Sequence, residues 1–290
     1  MRFSYIEPAS VDEAINTIRD GKGRYKILAG GTDLIIHLRR GVADYDALVN
    51  IKLLPEIAAW SSKPGIGFHF GAATPLRSIE TSPSVGKQIP ALAEAISVIG
   101  SLPLRNSATI GGNLCNASPS ADCAPALIVA SATASYQNES GDTLTVPVQD
   151  LFEGPGRTIL GTTSLLLGLD VPEPPQLTGN AFERFTPRNA MDIAIASAAS
   201  QVTIDPSSGL IGEVSIALGA VAPTPMRANR AEDALRGSEP SPELIKQAAE
   251  FAMEECQPID DIRGSANYRR QIISVLVRRT LERAILRARS

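Results

Sequence analysis

Aromatic residues are scarce in this chain, at 4% of 290 residues, and histidine appears only as His37 and His69. Neither histidine neighbours a serine or cysteine nucleophile motif, so a hydrolytic triad has no support, and both are read as surface or structural residues. The three cysteines, Cys115, Cys123 and Cys256, are too few and too scattered for a zinc or iron–sulfur site, and no metal site is expected. Their odd number argues against a closed disulfide framework and fits a reducing compartment. No apolar run approaches the ~20 residues of a membrane-spanning helix. The opening Met1-Arg2-Phe3-Ser4-Tyr5-Ile6-Glu7-Pro8 has no apolar signal core. A cytoplasmic protein with no membrane span is expected. A basic face is also missing: the net charge is −4, and no nucleic-acid partner is expected.

Glycine (23) and proline (21) are plentiful, so short elements joined by many tight turns are expected. Hydrophobic content of 43% with 20% charge is that of a globular protein, long enough for two domains. Val11, Ala14, Ile15 and Ile18 fall on one helical face behind Ser10 as N-cap, which predicts a helix over residues 8–20. Residues 25–29 and 47–51 read as strands, with a helical stretch from 34 to about 40 between them. Alternation predicts a strand over 65–73, and 75–80 and 90–99 read as helices. Residues 100–124, rich in Gly, Ser, Asn and Pro, read as a long irregular segment of the kind that carries function. Strands are expected at 126–136, 143–147 and 164–171. Pro172-Glu173-Pro174-Pro175 is the clearest linker. Beyond it, 182–185, 193–204 and 213–221 read as antiparallel strands, and 243–256 and 267–289 as helices.

Two glycine pairs carry the chemistry. The first is Ile27-Leu28-Ala29-Gly30-Gly31-Thr32-Asp33-Leu34, and the second Thr109-Ile110-Gly111-Gly112-Asn113. Glycine allows positive φ and close approach, so successive N–H groups can cup an anion, and the Thr32 and Thr109 hydroxyls can donate to phosphate oxygens. Each pair alone is also what an ordinary turn contains; two in one domain suit a pyrophosphate. Neither fits Gly-x-Gly-x-x-Gly or the Walker pattern, which disfavours a Rossmann or P-loop site. Downstream, Asp122 is placed either to accept hydroxyls of a sugar or polyol or to cap a helix.

In this order and spacing, the two loops resemble those of the FAD-binding medium subunits of the molybdenum hydroxylases, of the xanthine dehydrogenase and aerobic carbon monoxide dehydrogenase types. Supporting similarity lies in Phe3-x-Tyr5-x-x-Pro8, in Asn113-Leu114 through Ala117-Ser118-Pro119 to Asp122, in Arg188 with Asp192-Ile193-Ala194, and in Tyr268-Arg269-Arg270 with Leu276-Val277-Arg278-Arg279. The resemblance implies an α+β chain: a two-part FAD-binding domain of the vanillyl-alcohol oxidase type over 1–175 (subdomains about 1–55 and 56–175), then a smaller α+β domain over 178–290. It implies that residues 27–34 and 109–113 hold the pyrophosphate and neighbouring sugar, that Ser118 belongs to the cofactor loop, and that Asp122 binds the polyol. It further places Ile99 against the adenine and Leu166 and Arg184 near the flavin. Met191 is a departure, because xanthine-type relatives can carry an acid there, and it leaves the electron acceptor open. The implied role is electron transfer. A molybdopterin-containing large subunit would hydroxylate the organic substrate, a [2Fe-2S] small subunit would relay electrons, and NAD, a quinone, oxygen or another acceptor would take them. No catalytic side chain of this chain is implied.

Two alternatives stay open at this level: a stand-alone flavin oxidase or reductase on the same fold, and a flavin-free assembly protein. Residues 261–290 hold eight arginines against two acids, which is either a solvated helix face or a docking surface for an acidic partner.

Overall fold

The computed structural model describes residues 3–42, 44–188 and 191–290. The chain opens with β1 (Ser4–Ile6), α1 (Val11–Asp20), β2 (Tyr25–Leu28), α2 (Leu34–Arg39), β3 (Ala47–Asn50) and α3 (Pro55–Ala58). β3 pairs in parallel with β1 and with β2, giving a three-stranded sheet. α1 begins where Ser10 accepts the Glu13 N–H, and it buries Ala14, Ile15 and Ile18, the face its spacing announces.

The second part contains β4 (Trp60–Lys63), β5 (Gly67–Gly71), α4 (Leu76–Glu80), α5 (Pro83–Gln88), α6 (Pro90–Ser97), α7 (Leu102–Ser107), α8 (Ile110–Cys115) and α9 (Cys123–Val129). It continues with β6 (Thr133–Gln137), β7 (Thr143–Pro147), the short β8 (Phe152–Gly154) and β9 (Arg157–Thr158), and β10 (Leu165–Pro172). Its main sheet is antiparallel, in the order β4-β5-β10-β6-β7. Phe68 and Phe70 of β5 stack their rings beneath α4, α6 and α9 in the central core.

The C-terminal part is an antiparallel sheet of β11 (Thr178–Phe185), β12 (Ala196–Ile204), β13 (Ile211–Gly219) and β14 (Met226–Arg227). α10 (Asn229–Leu235), α11 (Pro242–Glu255) and α12 (Ala266–Ala288) cover one face and enclose a core of their own. Ala199 and Ala217 on the other face belong to the central core of the preceding domain, so the two domains share buried apolar surface.

The structure corrects several sequence expectations. Residues 126–136 are not one strand: α9 ends at Val129, and β6 begins at Thr133 after a turn in which Ser131 has φ 54°. The 100–124 segment is not irregular throughout, since Ser101 and Thr109 cap the single-turn helices α7 and α8. The strand expected from 193 begins at Ala196, and Arg188 and Asp192 lie in the β11–β12 connection, ion-paired to each other.

Several α12 arginines bond neighbouring elements. Arg287 donates to Glu94 of α6 at 2.6 Å and to the Asn180 carbonyl at 2.6 Å. Arg283 also pairs with Glu94 and bonds the Phe182 carbonyl, and Arg279 pairs with Glu183 at 2.7 Å. Arg278 meets Glu282 one turn along its own helix. Arg279, Arg283 and Arg287 therefore staple α12 to β11 and α6, while Arg278 and Arg289 stay exposed. Replacing Glu94 by alanine would remove the carboxylate that Arg283 and Arg287 share and the acceptor of the Phe182 N–H. Because these side chains keep partial exposure, a loss of about 1–2 kcal/mol is expected in urea unfolding, against under about 0.5 kcal/mol for Arg278→Ala.

Candidate functional site

β2 delivers its last residues into the first glycine loop. Gly31 adopts φ 70°, a conformation that glycine takes without penalty. A Cβ on Gly30 would lie 2.3 Å from the Ser107 carbonyl oxygen and 2.7 Å from Ala108 Cα, so only glycine lets this loop lie on the residues that precede Thr109. That contact brings together the two loops the sequence singled out. The second loop sits against the main sheet in the same way: a Cβ on Gly111 would lie 2.5 Å from the Ala72 carbonyl oxygen.

The loops differ in what they leave free. Among the described residues, no acceptor is found for the backbone N–H groups of Gly30, Gly31, Thr32, Asp33 and Leu34, nor a partner for the Thr32 hydroxyl. In the second loop the N–H groups of residues 110–113 are occupied. Ile110 donates to Thr74, Gly111 to Ala72, Gly112 to the Thr109 hydroxyl oxygen at 3.1 Å, and Asn113 to the Thr109 carbonyl. The first loop is thus a nest of unclaimed donors. In the second loop Thr109 is an almost fully buried N-cap, and the amides of residues 110–113 hold the loop's own turn. The second loop offers a side chain instead: Asn113 Oδ1 is buried without a partner.

The chain then enters a tight turn. Ala117 has φ 46°, and Ser118 Oγ accepts the Ser120 N–H at 3.3 Å. The C-terminal domain closes on this turn, with Ser120 Oγ donating to the Ala194 carbonyl and the Ala220 N–H to the Pro119 carbonyl. Asp122 stands at the N-cap position of α9 but makes no capping bond. Its Oδ2 accepts from Arg184 Nη1 at 2.6 Å, and its Oδ1 is buried and unpartnered. The second Arg184 nitrogen, Nη2, donates to the Val98 carbonyl at 2.6 Å. Burial pushes the Asp122 carboxyl up to about 6 despite the opposing pull of Arg184.

Ile99 is half-buried beside this assembly, and its carbonyl accepts from Arg105, which pairs with Glu80. Leu166 lies next to the β10 bulge and is packed in the central core, close to the second loop through the Leu167–Ala72 hydrogen bond. Cys115, at the end of α8, is exposed. His69 pairs with Asp170 on the exposed sheet face, and His37 is exposed on α2. Among the described residues no cluster of His, Cys, Asp and Glu suits a metal ion. Met191 is exposed in the β11–β12 connection. The Pro119 and Ala194 backbone contacts were missed from the sequence, which carries no signal for them.

A carboxyl raised from its ordinary value near 4 binds its proton more tightly folded than unfolded, so its contribution to stability is present below about pH 4 and lost as pH rises through about 6. The difference in unfolding free energy between the cofactor-free protein and Asp122→Asn should therefore fall by roughly 1–3 kcal/mol across that window, measured by urea titration at a series of pH values.

A family model described as "FAD binding domain in molybdopterin dehydrogenase" matches residues 1–174, and one described as "CO dehydrogenase flavoprotein C-terminal domain" matches residues 181–284. The putative xanthine dehydrogenase FAD-binding subunit of Escherichia coli K12 is 29% identical over 286 residues, covering 98% of this chain and 97% of its own. The carbon monoxide dehydrogenase medium chain of Hydrogenophaga pseudoflava is 32% identical over 283 residues, covering 98% and 97%. A solved carbon monoxide dehydrogenase from the same organism, lacking the Mo-pyranopterin moiety, superposes with a TM-score of 0.94 at 31% identity over 99% of this chain and 98% of that one. Two family models that together span nearly the whole chain, with full-length relatives and a matching fold, make this chain a member of the FAD-binding medium subunits of the molybdenum hydroxylases, the family of the xanthine and carbon monoxide dehydrogenases.

Proposed function

We propose that this chain is the electron-transfer subunit of a molybdenum hydroxylase complex. In this reading it receives electrons from the iron–sulfur centres of a [2Fe-2S] small subunit and passes them to NAD, a quinone, oxygen or another acceptor. A molybdopterin-containing large subunit carries the substrate chemistry. The division taken is 1–175 for the FAD-binding domain and 178–290 for the C-terminal domain, with cytoplasmic residence. Among the described residues no helix is long and apolar enough to cross a membrane.

The observation that carries the placement of the cofactor is the pairing of a row of free donors with two bare acceptors. The N–H groups of Gly30 to Leu34 and the Thr32 hydroxyl suit a pyrophosphate, and the buried oxygens of Asn113 and Asp122 suit hydroxyl groups of a sugar or polyol. The groups present therefore fit FAD. In the proposed site, residues 27–34 bind the pyrophosphate, and 109–113 form the floor with Asn113 facing the sugar. Ser118 shapes the turn that sets Asp122, and Asp122 accepts from the polyol. Ile99 lies toward the adenine, and Leu166 and Arg184 back the flavin end. Bound FAD supplies the redox chemistry; the protein orients it and tunes its surroundings. No acid–base side chain is assigned, because passing electrons between redox centres breaks no bond in this chain.

The test is the visible absorption spectrum of the purified chain after incubation with FAD and desalting. One flavin per chain is expected, with loss of the bands on Gly31→Val, which strains the loop, or Gly112→Val, whose Cβ would meet the Thr109 cap at 2.8 Å. Full flavin content in both variants would move the site elsewhere. Co-expression with the large and small subunits should yield a stable complex that reduces an external acceptor.

A further inference from the structure

Arg184 belongs to β11, in the C-terminal domain, yet its guanidinium lies across the boundary in the FAD-binding domain. Its side chain is 7% exposed, and that of Asp122 is 6%. One nitrogen holds Asp122 Oδ2, and another holds the Val98 carbonyl, just past the end of α6. A carboxylate with one oxygen clamped has the direction of its other oxygen fixed as well. That other oxygen, Oδ1, is buried and bare, and a buried acceptor without a donor is costly unless a ligand supplies one. The absence of any capping bond from Asp122 to α9 fits the same picture, since the side chain has left its ordinary local role to face Arg184.

We propose that Arg184 is a positioning residue, which aims Asp122 Oδ1 at a hydroxyl of the cofactor's polyol chain and so makes FAD retention depend on the docked C-terminal domain. This rests on the placement of FAD proposed above. The arrangement also fixes a charge. Among the described residues, Arg184 on β11 and the Cys123 thiol on α9 are the titratable groups that face Asp122. Burial holds the Cys123 thiol protonated, which leaves Arg184 as the group that favours the carboxylate. With Arg184 removed, burial alone acts and the carboxyl rises further, so near neutral pH it would carry a proton and accept hydrogen bonds poorly.

The experiment measures FAD affinity of the full chain by fluorescence titration between about pH 5 and pH 8, for wild type, Arg184→Met, Arg184→Lys and Asp122→Asn, with melting of the FAD-free proteins as the control for folding. Wild-type affinity should climb through about pH 6 and then level off. Arg184→Met should bind about tenfold or more weakly at neutral pH, the loss of one charge-assisted hydrogen bond, with its climb displaced to higher pH. Arg184→Lys should recover part of both, and Asp122→Asn should be weak and flat with pH. An Arg184→Met protein with wild-type affinity, or one weakened equally at every pH, would overturn the positioning role and leave Arg184 a structural bolt. If Arg184→Met fails to fold, Arg184→Lys decides: a single flexible nitrogen replaces the rigid two-nitrogen fork, so wild-type affinity with an unshifted profile would overturn the proposal. Absence of FAD binding by the wild-type chain at every pH, both alone and co-expressed with the large and small subunits, would instead sink the placement of the cofactor, and the role of Arg184 with it.

Discussion

The alignment of β11 alongside α6 is the constraint on which the rest of the molecule depends. At one end, Asn180 Oδ1 accepts the Ala91 N–H in the first turn of the helix, and its amide nitrogen donates to the Gln88 carbonyl. In the middle, Glu94 accepts the Phe182 N–H. At the far end, Arg184 holds the Val98 carbonyl. A strand of one domain thus satisfies polar groups at both ends of a helix in the other, groups that a helix terminus leaves without intrahelical partners. α12 locks the arrangement from outside through Arg283 and Arg287. Shared apolar burial gives the contact its area, and these polar bonds fix its register, since a slip along the strand would strand several buried groups at once.

This register matters to the site because the site is not contained in one domain. The first glycine loop, the second, and the turn through Ser118 to Asp122 all come from the N-terminal part. Ser120 and Pro119 are nevertheless held by backbone groups of Ala194 and Ala220, and Asp122 by Arg184. The buried Arg269 of α12 supports the same strand ends by donating to the Ile195 and Ala220 carbonyls, with Asp261 at 2.6 Å. The C-terminal domain therefore works as a brace behind the loop that ends at Asp122.

Much of this was legible in the sequence, and the failures have physical causes. Glycine pairs announced both loops, the first of them after an apolar strand, and the Pro172–Pro175 cluster lies where β10 gives way to β11. α9 was read as a strand because Cys123 to Val129 are all buried, so the run shows no amphipathic period, and a wholly buried helix looks like a wholly buried strand. α7 and α8 are single turns held by caps, and α8 contains two glycines, so propensity argues against the helix that Thr109 nucleates. β4 carries Ser61, Ser62 and Lys63 on an exposed edge and lacked an apolar signal. The functional difference between the two loops was out of reach, because whether an N–H is free depends on carbonyls such as those of Ala72 and Thr74, which folding brings from a distance.

The unequal hydrogen bonding of the two loops also says where the site is soft. Gly111 and Gly112 sit in backbone bonds that break only when the surrounding structure opens, so their amide protons should be among the protected ones. Gly30 to Leu34 have only water to bond in the absence of a ligand, and opening them costs little. In the proposed site, ligand capture would then be an ordering event confined to one short loop laid over a floor that is already rigid. Its entropic cost falls on a handful of residues rather than on the domain.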